Sequence, residues 1–204
     1  MEKSAVEIGG CKMKAKEVLV LLTDQWADWE AAYAIPLINS VPQYTIKTIA
    51  TNKVSKVSSG GLRVEIDYTL DSYHDFDNLA MLILPGGFTW KEERHDKIAA
   101  FVKKVIDVGR PVAAICGATI FLGKHELLDK VKHTGDDLEF FQKEQGYNGQ
   151  DFYESAQIVV DSGMITANET AALEFARAIL GMLEIGGDED IDEWYKYFKH
   201  GMVK

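Results

Sequence analysis

The sequence predicts an α/β domain in which a mostly parallel central sheet carries helices on both faces. Three observations lead there. Short, continuous apolar runs end in turn residues, as strands buried on both faces do. Segments with helical apolar spacing lie between those runs, so strand and helix alternate. The chain has 204 residues, enough for one well-buried domain and short of the size at which chains usually split.

Residues 1–15 (MEKSAVEIGGCKMKA) are polar and mixed in charge, and are expected to be an N-terminal tail rather than a signal peptide. Residues 16–204 are expected to be a single domain. Its first strand is EVLVLL (17–22). DWEAAYAIPLINS (28–40) has a helical pattern, and Pro36 should kink it or end its first half. YTIKTIA (44–50) reads as a strand, and KVSSGGLRVEIDYTL (56–70) as a hairpin about Gly60-Gly61. AMLILPGG (80–87) and VAAIC (112–116) are two further buried strands.

In HDKIAAFVKKVIDVG (95–109), Ile98, Phe101, Val102, Val105 and Ile106 form one helical stripe that Gly109 ends. AQIVVDSGMITAN (156–168) reads as a second hairpin, about Asp161-Ser162-Gly163. A helix follows through Ala172, Phe175, Ala176, Ile179, Leu180 and Leu183, and the last segment (188–204) places Ile191, Trp194, Tyr195 and Phe198 on one helical face. There is no linker, internal repeat or low-complexity stretch.

Charge and cysteine content remove several classes of function. The net charge is −10 and the basic residues are scattered, which argues against a nucleic-acid or anionic-membrane partner. No apolar run is long enough for a transmembrane helix. Two cysteines, Cys11 and Cys116, make no disulfide framework and no zinc pair, so a reduced, cytoplasmic compartment is expected, with no metal. No glycine-rich nucleotide motif follows a strand, and no cofactor is expected.

Ligands of an open parallel sheet sit beyond the carboxyl ends of the strands. TDQWADWE (23–30), LPGGFTW (84–90), ICGAT (115–119) and VKHTGDD (131–137) all fall at such ends. In ICGAT, small residues two before and two after Cys116 allow the sharp strand-to-helix elbow that presents a nucleophile. A helix N-terminus there would favour the thiolate. The same pattern also suits a small buried structural cysteine.

Gly86, Gly87 and Gly117 can turn backbone N–H groups inward as oxyanion donors, or simply make a tight strand exit. Asp28 and Glu30 either stabilise a helix start or face the thiol, and a glutamate beside sulfur would have its pKa raised. His133 lies at a loop end from which it could return to Cys116, whereas His74, His95, His125 and His200 lie in surface-like contexts. Trp26, Trp29, Phe88 and Trp90 cluster beside this site in sequence, as pocket walls or as packing.

Taken in order, ADWE, GGLRVEIDYTL, LILPGG, AAICGAT, LLDKVKHTG and MITANETAALEFA resemble the ThiJ/PfpI superfamily, whose members include a parkinsonism-linked deglycase and PfpI-type intracellular proteases. The resemblance implies a flavodoxin-like three-layer sandwich related to class I glutamine amidotransferases. It also implies a reactive Cys116 on a nucleophile elbow, Glu30 hydrogen-bonded to the sulfur, and Gly86 and Gly117 as backbone donors. A histidine approaching from the following loop would be His133, with a one-residue ambiguity against Thr134. A homodimer with the cysteine near its interface is a further implication.

Two departures narrow the activity. Gly117 stands where PfpI-type proteases carry a histidine, so their Cys-His dyad is missing. The late His-x-Glu of a glutaminase is also absent, because the only histidine after position 133 is His200, followed by Gly-Met. The turn Asn168-Glu169-Thr170 replaces the glycine-rich turn of many relatives. The function expected is glyoxalase- or deglycase-type chemistry on small electrophiles such as α-oxoaldehydes. The alternatives are a stress-responsive redox protein that oxidises Cys116, and a cysteine hydrolase of amides or isonitriles. Its partners would be a small-molecule substrate or oxidant.

Overall fold

In the computed structural model, which describes residues 6–8, 11–92 and 96–202, a seven-stranded sheet forms the middle layer. Its strands are β3 (Lys16–Leu21), β4 (Tyr44–Ala50), β7 (Tyr68–Thr69), β8 (Leu79–Leu84), β9 (Val112–Ile115), β10 (Ile158–Asp161) and β11 (Met164–Ala167). They lie in the order β10-β11-β9-β8-β3-β4-β7. All pairings are parallel except β10 with β11, whose hairpin turns through Ser162 and Gly163, both at positive φ.

The alternation of side chains along each strand divides the apolar residues between two layers. Leu82, Leu84, Val112 and Ala114 point to one face, which is covered by α2 (Asp96–Asp107) and α3 (Gly117–Lys124). Met81, Ile83, Ala113 and Ile115 point to the other, covered by α1 (Ala34–Ser40), α5 (Ala172–Met182) and α6 (Asp188–His200). The stripe expected in α2 is real: Ile98, Phe101, Val102 and Val105 are buried. This is the flavodoxin-like sandwich. Helix α3 differs from the amphipathic helices, since Ala118 to Gly123 are all buried, as a helix enclosed on every side must be.

Three local expectations change. The helix expected over 28–40 begins only at Ala34, so Pro36 sits in its first turn, where an N–H has no intrahelical acceptor and its loss costs little. The segment 28–33 is therefore free to run as turns at the end of β3. In 56–70, only β5 (Lys56–Val57) and β6 (Arg63–Val64) pair as a hairpin; the continuation, β7, leaves it to become the sheet edge beside β4. The N-terminal tail contains a small antiparallel pair, β1 (Val6–Ile8) with β2 (Cys11–Met13). His95, where the α2 segment was expected to begin, lies outside the described residues, as do the last two residues of the α6 segment.

Strand order reverses between β3 and β8: β3 leads outward to β4 and β7, and β8 leads the other way to β9 and β11. The crevice at such a switch point lies beyond the carboxyl ends of the strands. The loops that leave β3, β8 and β9 there carry Glu30, Gly86-Gly87 and Cys116.

Candidate active site

Cys116 follows β9 directly and caps α3 with φ 56° and ψ −132°. A non-glycine residue at positive φ stores roughly 1–3 kcal/mol of strain. The frame that holds it is visible. Its N–H donates to the Ala167 carbonyl (3.0 Å), and its own carbonyl accepts from both the N–H (2.9 Å) and the hydroxyl (2.7 Å) of Thr119. Both backbone groups are thus fixed, and the side chain is half-buried rather than sealed in the core.

Glu30 is fully buried. Its Oε2 accepts the Gly86 N–H at 2.5 Å, and Oε1 has no partner with good hydrogen-bond geometry. The Cys116 thiol is close enough to couple with the carboxyl. Burial raises the Glu30 pKa from about 4.5 to about 7, against the opposing Gly86 and Cys116 hydrogen bonds and with help from Asp136 and Glu169. Asp28 plays a different part, since its Oδ2 accepts from the Ser58 hydroxyl and from the Gly60 N–H (3.0 Å), pinning the β5–β6 loop.

The glycines work mainly by being small. A β-carbon on Gly86 would lie 2.7 Å from Cys116 Cβ and 2.7 Å from Glu30 Oε2. The Gly86 N–H is committed to Glu30, so the expectation that it serves as an oxyanion donor is corrected. Gly87, at positive φ, bridges to Trp26. The Gly117 N–H interacts with the Cys116 sulfur and eases its ionisation. Of the four aromatics, Trp26 and Trp90 are packing residues, whereas Trp29 and Phe88 are exposed.

His133 does not serve the thiol. Its ring is fully buried among Phe141, Tyr147 and Tyr153, with Nδ1 on the Val131 carbonyl (2.7 Å) and Nε2 on the Tyr147 hydroxyl (2.8 Å). Both nitrogens are spent, and burial pushes its pKa down. Thr134, the other candidate, bonds to Thr166 and Ala156.

The residue of that loop whose charge acts on Cys116 is Asp136. The loop can come so close because residue 135 is glycine: a β-carbon there would lie 2.5 Å from Thr119 Oγ1. Asp136 Oδ1 accepts the Glu169 N–H at 3.0 Å, and the two side-chain carboxyls also interact. Burial, then Glu169, raises the Asp136 pKa to about 7. Its neighbour Asp137 instead caps α4 (Leu138–Gln142), accepting the Glu139 N–H at 2.8 Å. Sequence reasoning sought a histidine and passed over this Asp-Asp pair; residues 131–137, expected at a strand end, lie instead in the loop before α4, and the one available signal was two adjacent acids.

Cys116 is therefore surrounded by acid. Burial first, then the charges of Glu30 and Asp136, push its pKa far up, and the Gly117 N–H opposes them. These influences oppose the thiolate that the helix start was expected to favour.

A family model described as the DJ-1/PfpI family matches residues 16–182. The chain belongs to the DJ-1/PfpI family. Among its relatives, "Uncharacterized protease YoaZ" of Bacillus subtilis (strain 168) is 33% identical over 195 residues, covering 92% of each chain. The crystal structure of a thiJ/pfpI family protein from Bacillus anthracis superimposes with a TM-score of 0.86 at 34% identity, covering 93% of both chains. A DJ-1 superfamily protein from Agrobacterium tumefaciens gives 0.83 at 30% identity, covering 90% of this chain and 97% of that one. The DJ-1/PfpI match ends with the last residue of α5, so α6 lies beyond it. Among the described residues, no helix is long and apolar enough to cross a membrane, and no group of three or more His, Cys, Asp or Glu residues could hold a metal ion.

Proposed function

We propose that the protein is a cysteine enzyme that acts without a cofactor on small electrophiles of the α-oxoaldehyde type. The observation that carries this reading is the strained Cys116 elbow set against a buried carboxyl. The thiol adds to the aldehyde carbon: an S–C bond forms, the S–H proton leaves, and the carbonyl oxygen takes up a proton to give a hemithioacetal. A carboxylate then removes the hydrogen on that carbon, and reprotonation of the enediol at the neighbouring carbon leaves a thioester. Water hydrolyses it to a 2-hydroxy acid and restores the thiol. Glu30 and Asp136, each with a pKa near 7, suit such two-way proton transfer at neutral pH.

Proteolysis through a Cys–His pair is not part of this reading, because His133 is bound to Val131 and Tyr147. The test is turnover of methylglyoxal by wild type and Cys116→Ala. Lactate formation by the wild type alone is expected, and equal background rates for both would sink the proposal.

A second reading is a redox-responsive protein in which peroxide oxidises Cys116 to a sulfinate held by Glu30 and the Gly117 N–H. It draws support from the unpartnered Glu30 Oε1. Intact mass after mild peroxide separates the two: a gain of two oxygens on Cys116 would favour it.

A further inference from the structure

A cavity of about 500 Å³ opens beside the elbow. Its walls are Asp24 and Gln25 from the loop after β3, Val57, Ser58 and Ser59 from the β5–β6 hairpin, and Phe88 from the loop after β8. That volume is typical of pockets that enclose a ring-bearing ligand, and a molecule as small as methylglyoxal fills little of it. Three glycines put the cavity against the site. A β-carbon on Gly87 would lie 2.7 Å from the Gln25 carbonyl oxygen, one on Gly117 3.0 Å from the Gly87 carbonyl oxygen, and one on Gly86 2.7 Å from Cys116 Cβ. Phe88, two residues past Gly86, is within about 7 Å of it along the chain.

The cavity is preorganised. Gln25 has φ 57°, a strained value for a residue with a side chain. Its N–H donates to the Val57 carbonyl (2.8 Å), and its carbonyl accepts from the Ser59 hydroxyl (2.9 Å). The Thr89 hydroxyl donates to the Asp24 carbonyl (2.7 Å), which ties the loop after β8 to the loop after β3. The Ser58 hydroxyl is spent on Asp28 and on the Leu62 N–H, and the Asp24 carboxylate faces Lys56 Nζ at 3.6 Å. Among the described residues, the wall groups that these bonds leave uncommitted are the Gln25 side-chain amide, the Val57 side chain and the Phe88 ring. Phe88 is 77% exposed, so a second ring has room to pack against it.

We propose that this cavity is the subsite for the unreactive body of the substrate, and that it takes an aryl group: the ring packs on Phe88 and Val57, the Gln25 amide bonds a polar ring substituent, and the aldehyde carbon reaches Cys116. The proposal rests on the reading of Cys116 as a nucleophile toward α-oxoaldehydes and narrows that class to its aryl-substituted members. The bonds made and broken at the aldehyde carbon are those already given.

The test compares kcat/KM for phenylglyoxal and methylglyoxal in wild type, Phe88→Ala and Phe88→Tyr. Wild type should favour phenylglyoxal by about tenfold or more, the scale on which an apolar pocket separates substrates. Phe88→Ala should lower that ratio about tenfold, through KM for phenylglyoxal, and Phe88→Tyr should keep it. A wild type that prefers methylglyoxal, or a Phe88→Ala ratio equal to that of wild type, overturns the proposal. Binding supplies a second arm that needs no turnover. Acetophenone should bind the Cys116→Ala protein, read by ligand-observed NMR, and adding Phe88→Ala should weaken it about tenfold. If both aldehydes are inert while acetophenone binds in this Phe88-dependent way, the glyoxalase reading fails and the aryl subsite stands. If acetophenone does not bind, or binds equally without Phe88, the subsite fails whatever the turnover shows.

Discussion

Gly86 donates its N–H to Glu30 Oε2 at 2.5 Å, and the space where its β-carbon would sit is shared by that oxygen and Cys116 Cβ. One glycine therefore sets the spacing of both partners in the site. Gly86→Ala should force Glu30 and Cys116 apart, at about 1–3 kcal/mol, as overpacking of tight interiors does. Urea unfolding measures the loss. Wild-type stability with an unchanged Cys116 alkylation profile would show that the contact is not tight.

Stability should fall as pH rises across neutrality. Glu30 has its folded pKa raised from about 4.5 to about 7, so it favours the folded state fully below pH 4.5, and that contribution is lost as pH climbs to 7. The span corresponds to about 3 kcal/mol as an upper figure. Asp136, raised from 3.8 to about 7, acts in the same direction but is half-exposed and contributes less. Urea midpoints at pH 5 and pH 8 should differ clearly in wild type and less in Glu30→Gln. Equal slopes in the two proteins would refute the assignment.

His133 should matter for stability and not for sulfur chemistry. Removing a buried ring with two hydrogen bonds and three aromatic neighbours leaves a cavity and orphans the Tyr147 hydroxyl. His133→Ala is expected to cost about 2–4 kcal/mol. The folded fraction should alkylate at Cys116 with the wild-type pH profile, and a changed profile would return His133 to the site.

Asp28 should prove separable from its neighbour Glu30. Asp28→Ala removes the carboxylate that holds Ser58 and Gly60, with an expected cost of about 1–3 kcal/mol. Limited proteolysis should then cut first between residues 58 and 62, with little change at Cys116. Resistance in that loop equal to wild type would contradict the pinning role.

The layers of the fold were legible because burial writes itself into periodicity: β3, β8 and β9 are continuous apolar runs, and α2 and α5 carry unbroken stripes. Cys116, Glu30 and the glycine pair were legible because an elbow and a close approach demand small residues at fixed spacing. Asp136 was not, because its partner Glu169 lies 33 residues away and meets it only after the β10–β11 hairpin returns to the sheet. The surroundings of the Cys116 sulfur were equally hidden. A helix start argues locally for a thiolate, and burial together with two acids from distant loops, Glu30 and Asp136, argues against it.

Both backbone groups of Cys116 are tethered, to Ala167 on one side and to Thr119 on the other, through atoms that every residue type except proline possesses. What the sulfur does is therefore separable from what the main chain does. A variant with alanine at this position keeps the same scaffold with the chemistry switched off, which makes it an inert bait for recovering, from a mixture of metabolites, whatever the crevice was shaped to receive.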